Sequence, residues 1–212
     1  VNLTSADVPE MTGAGQEEET KVRSLAVESA HCSGGVDPYL RVVNVHSVRF
    51  TGATSSPRES MRWDVTVWPT NAVAEHESAA ELSRRGRACA QHLLERLAID
   101  AIGRVRLSHI SIAWLPPPLP GAEHSYAARI SLRITGELGL SHTKSERSTA
   151  ALESSSPNPR TVQIPLYIDG FGFLAGPAQV SLTAISVKRP ASAATEHRLL
   201  SLLYSRAQAH VL

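Results

Sequence analysis

The chain has 212 residues, of which 42% are hydrophobic and 19% charged, and its net charge is +1 at pH 7. A chain of this length can build one large domain or two small ones around a core of its own. The near-neutral charge excludes a global electrostatic attraction to nucleic acid or membranes, so any basic surface must be local.

The N-terminal segment is polar. Residues 1–20 include the acidic run Glu17–Glu19 and too little apolar surface to order themselves, so we expect a flexible acidic tail unless a neighbouring surface orders it. The segment Lys21–Ala30 is interpreted as a first strand. No apolar run reaches the length of a membrane span, and no basic-then-apolar signal pattern is present. We therefore expect a soluble protein that is made in the cytoplasm.

Two runs of strand-forming residues predict a hairpin. Tyr39–Phe50 is rich in β-branched and aromatic residues and predicts one long strand. Met61–Trp68 alternates apolar and polar residues, which is typical of a half-buried strand. The Ser/Gly/Pro-rich residues 51–60 between them predict a long tip.

The stretch Glu77–Leu97 has apolar residues at helical spacing and predicts one long helix with one buried and one wet face. Gly86 lies on the buried stripe, where glycine costs about 1 kcal/mol relative to alanine. Either Gly86 allows close packing against a flat partner such as a sheet, or it is a simple loss of helix propensity.

Two more strands are predicted after this helix. The alternation changes phase within Arg104–Leu115, which predicts a β-bulge near Ser108 or His109. A rigid proline-rich connection, Pro116–Pro120, leads to Tyr126–Ile134, whose alternation has no error.

The last part of the chain predicts a second hairpin and a helix. Asp169–Gly170 after Thr161–Ile168 is a hairpin turn signal, and Gly176–Pro177 predicts the next turn. Pro165 implies that its strand lies at an edge or carries a bulge. Residues 193–212 return to helical spacing.

These elements together predict an α+β fold. It is a mainly antiparallel sheet covered by the one central helix, 77–97, with an extra C-terminal β-hairpin and a terminal helix. We divide the chain into the tail 1–20, a single domain 21–189 with a long polar loop or arm at 139–160, and an amphipathic helix 190–212.

No catalytic or metal-binding signature accompanies these elements. The nine histidines form no HExxH or zinc-finger spacing, and there is no CxxC, GxSxG or nucleotide-binding glycine loop. We expect no metal, no cofactor and no enzyme activity. Cys32 and Cys89 allow at most one intrachain disulfide, and because Cys89 lies on the buried helical stripe we expect two free thiols.

Two sets of residues are candidates for intermolecular contacts. Clustered arginines can hold phosphates without reading bases, although a solvated helix face is the simpler account of them. This basic cluster consists of Arg84, Arg85, Arg87, Arg104 and Arg106. The terminal helix offers a candidate assembly segment, which consists of Leu199, Leu200, Leu203 and Tyr204.

The stretch from Tyr39 to Leu138 resembles the tail terminator and neck proteins of tailed bacteriophages and phage-like particles. The likeness rests on PYLRVVNV, RWDVTVWPTN, the helix HESAAELSRRGRACAQHLLERL, RVRLSHISIAW and YAARISLRITGEL. It implies a virion protein that forms a ring, commonly sixfold, at the head–tail junction, with the tail tube and head completion proteins as partners. It also implies a lumen that meets DNA through charge alone.

Two other classes of function stay open. The chain could be a small-ligand or peptide-binding module with a site between the sheet and the Pro116–Pro120 loop, where Trp114 and Tyr126 would line a pocket. It could also be an enzyme whose site carries no recognised motif, which would require several converging titratable groups.

Overall fold

The computed structural model describes residues 3–14, 19–52, 59–100, 105–119, 122, 124–138 and 160–210. They form an α+β fold in which an antiparallel sheet of eight strands packs with four α-helices. The strands are β1 Met11–Ala14, β2 Val43–His46, β3 Arg49–Gly52, β4 Glu59–Val67, β5 Val105–Leu115, β6 Tyr126–Leu138, β7 Arg160–Ala175 and β8 Ala178–Val187. The helices are α1 Glu19–Ser33, α2 Asn71–Leu82, α3 Arg84–Asp100 and α4 Ala193–Gln208, and a short 3-10 turn spans Pro38–Leu40.

The strands follow the order β1-β3-β4-β8-β7-β6-β5, and β2 pairs with β4 beside β3. Helix α4 packs on one face of β7 and β8, where the ring of Tyr204 meets Phe173 edge-on with the ring centroids 5.2 Å apart. Helix α2 packs on the other face, where Ala74 contacts Trp68 and Leu174. Because Phe173 and Leu174 are adjacent in a strand, they point to opposite faces. The sheet is therefore covered on both sides.

The predicted helix 77–97 is two helices, and the prediction of one was wrong. The break is at Ser83, which has extended dihedrals. Its hydroxyl donates to the carbonyl of Ala80 at 2.7 Å and accepts from the Gly86 N–H at 2.9 Å. Ser83 thus ends α2 and caps α3, as serine side chains commonly do at helix starts. The apolar period continues across the break, which explains why it predicted a single helix.

Gly86 is required by packing rather than being a loss of propensity. It is buried in the first turn of α3, and a Cβ there would collide with the backbone carbonyls of Ala80 and Glu81. The close neighbour is the end of α2, not the sheet.

The segment predicted as a first strand lies within helix α1, so that prediction was wrong. Its inward side carries Ala30 and Ser33, which are buried, whereas Val27 is 39% exposed. Because the residues on the inward side of α1 are small, its sequence shows no clear helical spacing of large apolar residues. The prediction of two free thiols was also wrong, because Cys32 of α1 and Cys89 of α3 form a disulfide with their Cα atoms 5.7 Å apart. Both cysteines lie on the facing sides of the two packed helices.

The first predicted hairpin is present, but its first arm is interrupted. Strands β2 and β3 both pair with β4, and between them the Ser47 N–H donates to the Trp63 carbonyl while the Trp63 N–H donates to the Ser47 hydroxyl. The one long strand expected over Tyr39–Phe50 was therefore wrong. Residues 53–58 of the predicted tip lie outside the described residues.

Asp169–Gly170 is not a turn, and that prediction was wrong. Both residues lie inside β7, where Asp169 pairs with Arg129 of β6 and Ala184 of β8. The turn comes at Gly176, which has φ 58°, and Pro177, as predicted. The prediction for Pro165 was wrong, because β7 is an inner strand that pairs with β6 and β8 without a bulge. Lys188, the residue after β8, donates its N–H to the Pro165 carbonyl, and β8 ends there.

The two ends of the described chain join the same core. Leu3 and Val8, from the predicted tail, are buried in the cluster that contains Leu199 and Leu203 of α4. Asp7 accepts hydrogen bonds from both terminal nitrogens of Arg206 at 2.9 Å, and this guanidinium lowers the pKa of Asp7 to about 2. Glu17, Glu18 and nearly all of the predicted arm, residues 139–159, lie outside the described residues.

Candidate functional site

The face of the sheet beneath α4 changes from apolar to polar along the strands. Near the C-terminal half of α4, one cross-strand row consists of Trp63, Leu182, Phe171, Ala127 and Leu115. Two steps further along, a row of the same face consists of Glu59, Ser186, Tyr167, Ser131 and Ser111. The intermediate row consists of Met61, Ala184, Asp169, Arg129 and Ala113. The sheet thus presents five neighbouring polar side chains where the helix begins.

A buried ion pair stands at this transition. Arg129 donates from Nε to Asp169 Oδ1 at 2.5 Å, and the Asp169 side chain is fully buried whereas that of Arg129 is 26% exposed. The pairing with Asp169 raises the pKa of Arg129. The strand register places Arg129 and Asp169 opposite each other on the same face of the sheet, so their side chains are in direct contact.

The first turn of α4 adds a second carboxyl. Ser192 caps this helix by accepting from the Thr195 N–H, which places Glu196 over Asp169. Burial, followed by the charge of Asp169, raises the pKa of Glu196 to about 7. Burial also raises the pKa of Glu59, at the end of the polar row. Four buried oxygens of this cluster have no hydrogen-bond partner among the described residues; they belong to Glu59, Asp169, Ser186 and Glu196.

An open cavity of about 500 Å³ continues this polar surface beyond the helix. We call it the polar cleft. It is lined by His109, Ser131, Leu132, Arg133, Gln163, Pro165 and Tyr167. Five of these residues share the α4 face with Arg129 and Asp169, because they lie an even number of positions away in β6 and β7. Arg133 is exposed and forms no ion pair within the described part of the chain.

The β-bulge predicted near Ser108 or His109 is confirmed, and it shapes the cleft. Pairing of β5 with β6 shifts between Ser108 and Ser111, and His109 has a φ of 54°. Positive φ is uncommon for residues with a Cβ, and histidine is among those that tolerate it. Bulges re-aim side chains next to binding sites. The bulge turns His109 into the cleft wall opposite Tyr167.

The side chains that line the cleft are better suited to binding a ligand through hydrogen bonds than to catalysis. It combines one guanidinium, one imidazole, two hydroxyls and one amide. In the described ranges no group of three His, Cys, Asp or Glu side chains could hold a metal ion, and no helix is long and apolar enough to cross a membrane. The carboxyls of Asp169 and Glu196 lie behind the cleft, where they are enclosed by the sheet and α4.

The predicted basic cluster does not converge on this cleft. Arg85 donates to the carbonyls of Cys32 and His31 at 2.7 and 3.2 Å, so it caps the C-terminus of α1. Arg87 donates to the Leu82 carbonyl at 3.0 Å and stacks on Trp114 at 4.5 Å. Arg84 is exposed. Arg104 lies outside the described residues, and of Arg106 only the backbone is described.

The candidate assembly segment lies inside the chain's own core. Leu199, Leu200 and Leu203 are fully buried, and Tyr204 packs on Phe173. The pocket expected between Trp114 and Tyr126 is also not where the cleft lies. Trp114 is covered by Arg87, and the ring of Tyr126 fills the space that Gly172 leaves open on the α2 face.

Sequence patterns held two weak signals for the observed site. Asp169 interrupts an apolar strand run, and Glu196 falls on the buried stripe of α4. A charged residue at an apolar position indicates a buried pair, since charges are rarely buried alone. Only the fold identifies Arg129 as the partner, because the partner lies 40 residues away.

No family model and no curated protein matches this chain. Among solved structures, the extracellular domain of PknH from Mycobacterium tuberculosis aligns over 94% of this chain and 97% of its own length, with 8% identity and a TM-score of 0.33. A TM-score of this size does not indicate a shared fold.

Proposed function

We propose that this chain is a non-catalytic binding module whose polar cleft holds a small anionic ligand. The observation that carries the proposal is the exposed guanidinium of Arg133 in a cavity with four further side-chain donors. Arginine binds carboxylates and phosphates through two parallel hydrogen bonds. The ligand-binding class was an alternative from the sequence; its site now moves from the Pro116–Pro120 loop to the cleft.

The distribution of charge favours an anion. The charge of Arg129 is neutralised by Asp169, so the buried pair adds little net field to the cleft. Glu196 carries a proton in much of the population below pH 7 because its pKa is raised. Arg133 is then the main fixed charge at the opening. Ser131, Gln163 and Tyr167 supply neutral hydrogen bonds that orient the ligand.

The experiment is a calorimetric titration of the purified chain at pH 6.5 with three probes: inorganic phosphate, citrate and acetate. Citrate or acetate binding would indicate a carboxylate ligand, and phosphate binding a phosphoryl ligand. The variant Arg133→Gln should weaken binding about 10-fold or more, because a charge-assisted hydrogen bond contributes roughly 1.5–3 kcal/mol. Arg84→Gln, at an exposed position that does not line the cleft, is the matched control and should bind as the parent does. Equal binding by both variants, or heat from none of the probes, would contradict the proposal.

We also propose that the protein works in an oxidising compartment. Disulfides form and persist outside the cytoplasm and are rare within it, and Cys32–Cys89 joins two packed helices. This differs from the cytoplasmic production expected from the sequence. Blocking free thiols in intact producing cells, followed by mass measurement of the protein, should find no modified cysteine. Two blocked cysteines would overturn the assignment.

A structural role in a phage-like tail or neck ring is the second proposal. What favours it is a run of exposed apolar side chains between residues 39 and 48, since large apolar patches mark interaction sites. A ring requires two different complementary surfaces on each subunit. Light scattering behind a sizing column should find a closed ring of about six subunits under this proposal. A monomer or a dimer at all concentrations would contradict it.

DNA retention by the basic cluster loses support, because Arg85 and Arg87 bind the protein's own backbone.

A further inference from the structure

We infer that strand β2 pairs with β2 of a second copy of this chain, so that two sheets join edge to edge across a two-fold axis. The inference goes beyond the anion-binding function and does not rest on it. It concerns the sheet edge opposite β5, whereas the cleft lies between β5, β6 and β7.

The edge carries more exposed apolar surface than any other segment described. Six large apolar residues between positions 39 and 48 are between 41% and 74% exposed: Tyr39, Leu40, Val42, Val43, Val45 and Val48. We call them the edge strip. Scattered apolar residues are normal on a surface, but a continuous strip on a strand edge is not.

Within the part of the chain that the structure describes, the backbone of β2 pairs on one side only. Among the described strands it pairs only with β4. The Ser47 N–H points towards Trp63 of β4, so Val45 and Val43, two and four positions earlier, also direct their backbone groups to β4. The N–H and C=O groups of Asn44 and His46 consequently point away from the sheet. They form a template for one more strand.

An antiparallel pairing centred on Val45 provides hydrogen-bond partners for these outward backbone groups in both copies at once. Asn44 of each copy then exchanges two backbone hydrogen bonds with His46 of the other. Val45 faces its own symmetry mate in the closer, non-hydrogen-bonded position, where Cα atoms are about 4.5 Å apart. The pattern is self-complementary, as a two-fold interface requires.

The side chains favour a second copy over a charged partner. Val45 continues an apolar row of the α4 face that runs through Val65, Val180 and Phe173. A second copy extends this row with its own Val45, Val65 and Val180. Two basic residues lie between the members of the edge strip, and both contact other side chains of their own copy: Arg41 stacks on Trp68, and His46 contacts Asp64. No uncompensated charge therefore meets its like across the axis.

The size of the contact agrees with a reversible dimer. A stable interface buries about 800 Å² on each partner from 20 to 30 residues. Four paired residues fall short of this, and the flanking Tyr39, Leu40 and Val42 bring the contact only towards the lower end of the range. The pairing closes at two copies, so this inference and the ring of the second proposal are alternatives for the same exposed residues.

The test places charges at Val45, the residue on the proposed two-fold axis, in the full-length chain. Val45→Lys and Val45→Glu each place like charges directly opposite each other, so each variant alone should dimerise at least roughly 10-fold more weakly than the parent in sedimentation velocity. An equimolar mixture of the two variants should recover the dimer. Val27→Lys, at an exposed apolar position of α1, is the matched control and should dimerise like the parent.

Recovery in the mixture identifies a contact between the two β2 strands, because a foreign partner or another surface would not pair lysine with glutamate. A parent that is monomeric up to millimolar concentration overturns the inference. So does a dimer or a ring that persists in Val45→Lys, or a loss of assembly that the mixture does not repair. Circular dichroism of each variant confirms that the fold is retained.

Discussion

Replacement of Arg129 by methionine tests whether the ion pair with Asp169 secures the start of α4. The change keeps most of the aliphatic volume and removes the charge. Asp169 is then left buried beside Glu196 with no cation opposite it. Removing one partner of a buried pair costs about 3–5 kcal/mol. We expect a loss near the lower value, about 3 kcal/mol, because a quarter of the Arg129 side chain is exposed.

The loss should depend on pH. At pH 8 Glu196 is charged, so the variant loses the attraction of Arg129 for the Glu196 carboxylate in addition to the ion pair with Asp169. At pH 5 Glu196 holds a proton, since its pKa is raised to about 7, and this additional loss is absent. The variant should therefore lose more stability at pH 8 than at pH 5. For a chain of this length a loss of about 3 kcal/mol lowers the Tm by roughly 10 °C.

Urea unfolding followed by tryptophan fluorescence at both pH values measures this difference. Arg133→Met, four residues further along the same face of β6, is the control and should stay within about 0.5 kcal/mol of the parent. The double variant Arg129→Met/Asp169→Leu should regain most of the stability, because an apolar pair can replace a buried ion pair. If Arg129→Met unfolds at the parent's urea concentration at both pH values, the ion pair does not stabilise the fold.

Three other outcomes follow from the structure. Replacing Cys32 and Cys89 by alanine should cost about 4 kcal/mol in urea unfolding, because the bridge closes a loop of 57 residues; a parent that loses no stability in reductant would contradict this. Glu196→Gln should remove a pH dependence of the stability. The folded pKa of about 7 lies above the ordinary glutamate value of 4.5, so the parent loses up to about 3 kcal/mol as pH rises from 4.5 to 7. The variant should therefore be the more stable of the two at pH 8. Gly86→Ala should destabilise the protein by its clash with Ala80, although helix propensity alone predicts a gain of about 1 kcal/mol, so the sign of the change in a thermal melt decides between them.

Regular alternation was the most reliable guide from sequence to fold. The strands at Met61–Trp68 and Tyr126–Ile134 and the bulge near His109 were predicted because residue types alternate along each strand with the two-residue period of a pleated sheet. The terminal helix was predicted for the same reason, with its apolar stripe at 3.6-residue spacing. Local patterns suffice where the buried partner is a continuous surface.

Features that depend on distant partners were missed. Asp169–Gly170 has the local chemistry of a turn, but Arg129 and two flanking strands hold it extended. The disulfide depended on recognising α1 as a helix that faces α3. The cleft could not be predicted, because its side chains come from three strands whose order in the sheet is set by the whole chain.

The order of strands has a consequence for synthesis of the protein. The central pair of the sheet joins β4, which is made early, to β8, which is made more than 100 residues later. Until β8 and α4 leave the ribosome, Met61, Trp63 and Val65 have nothing to cover them. The helical pair α1 and α3, in contrast, can dock and form its disulfide while the second half is still being translated. Completion of the sheet is thus a late step, governed by long-range contacts of the kind that fold slowly, and a ribosome stalled before residue 178 would hold an apolar half-sheet ready to aggregate.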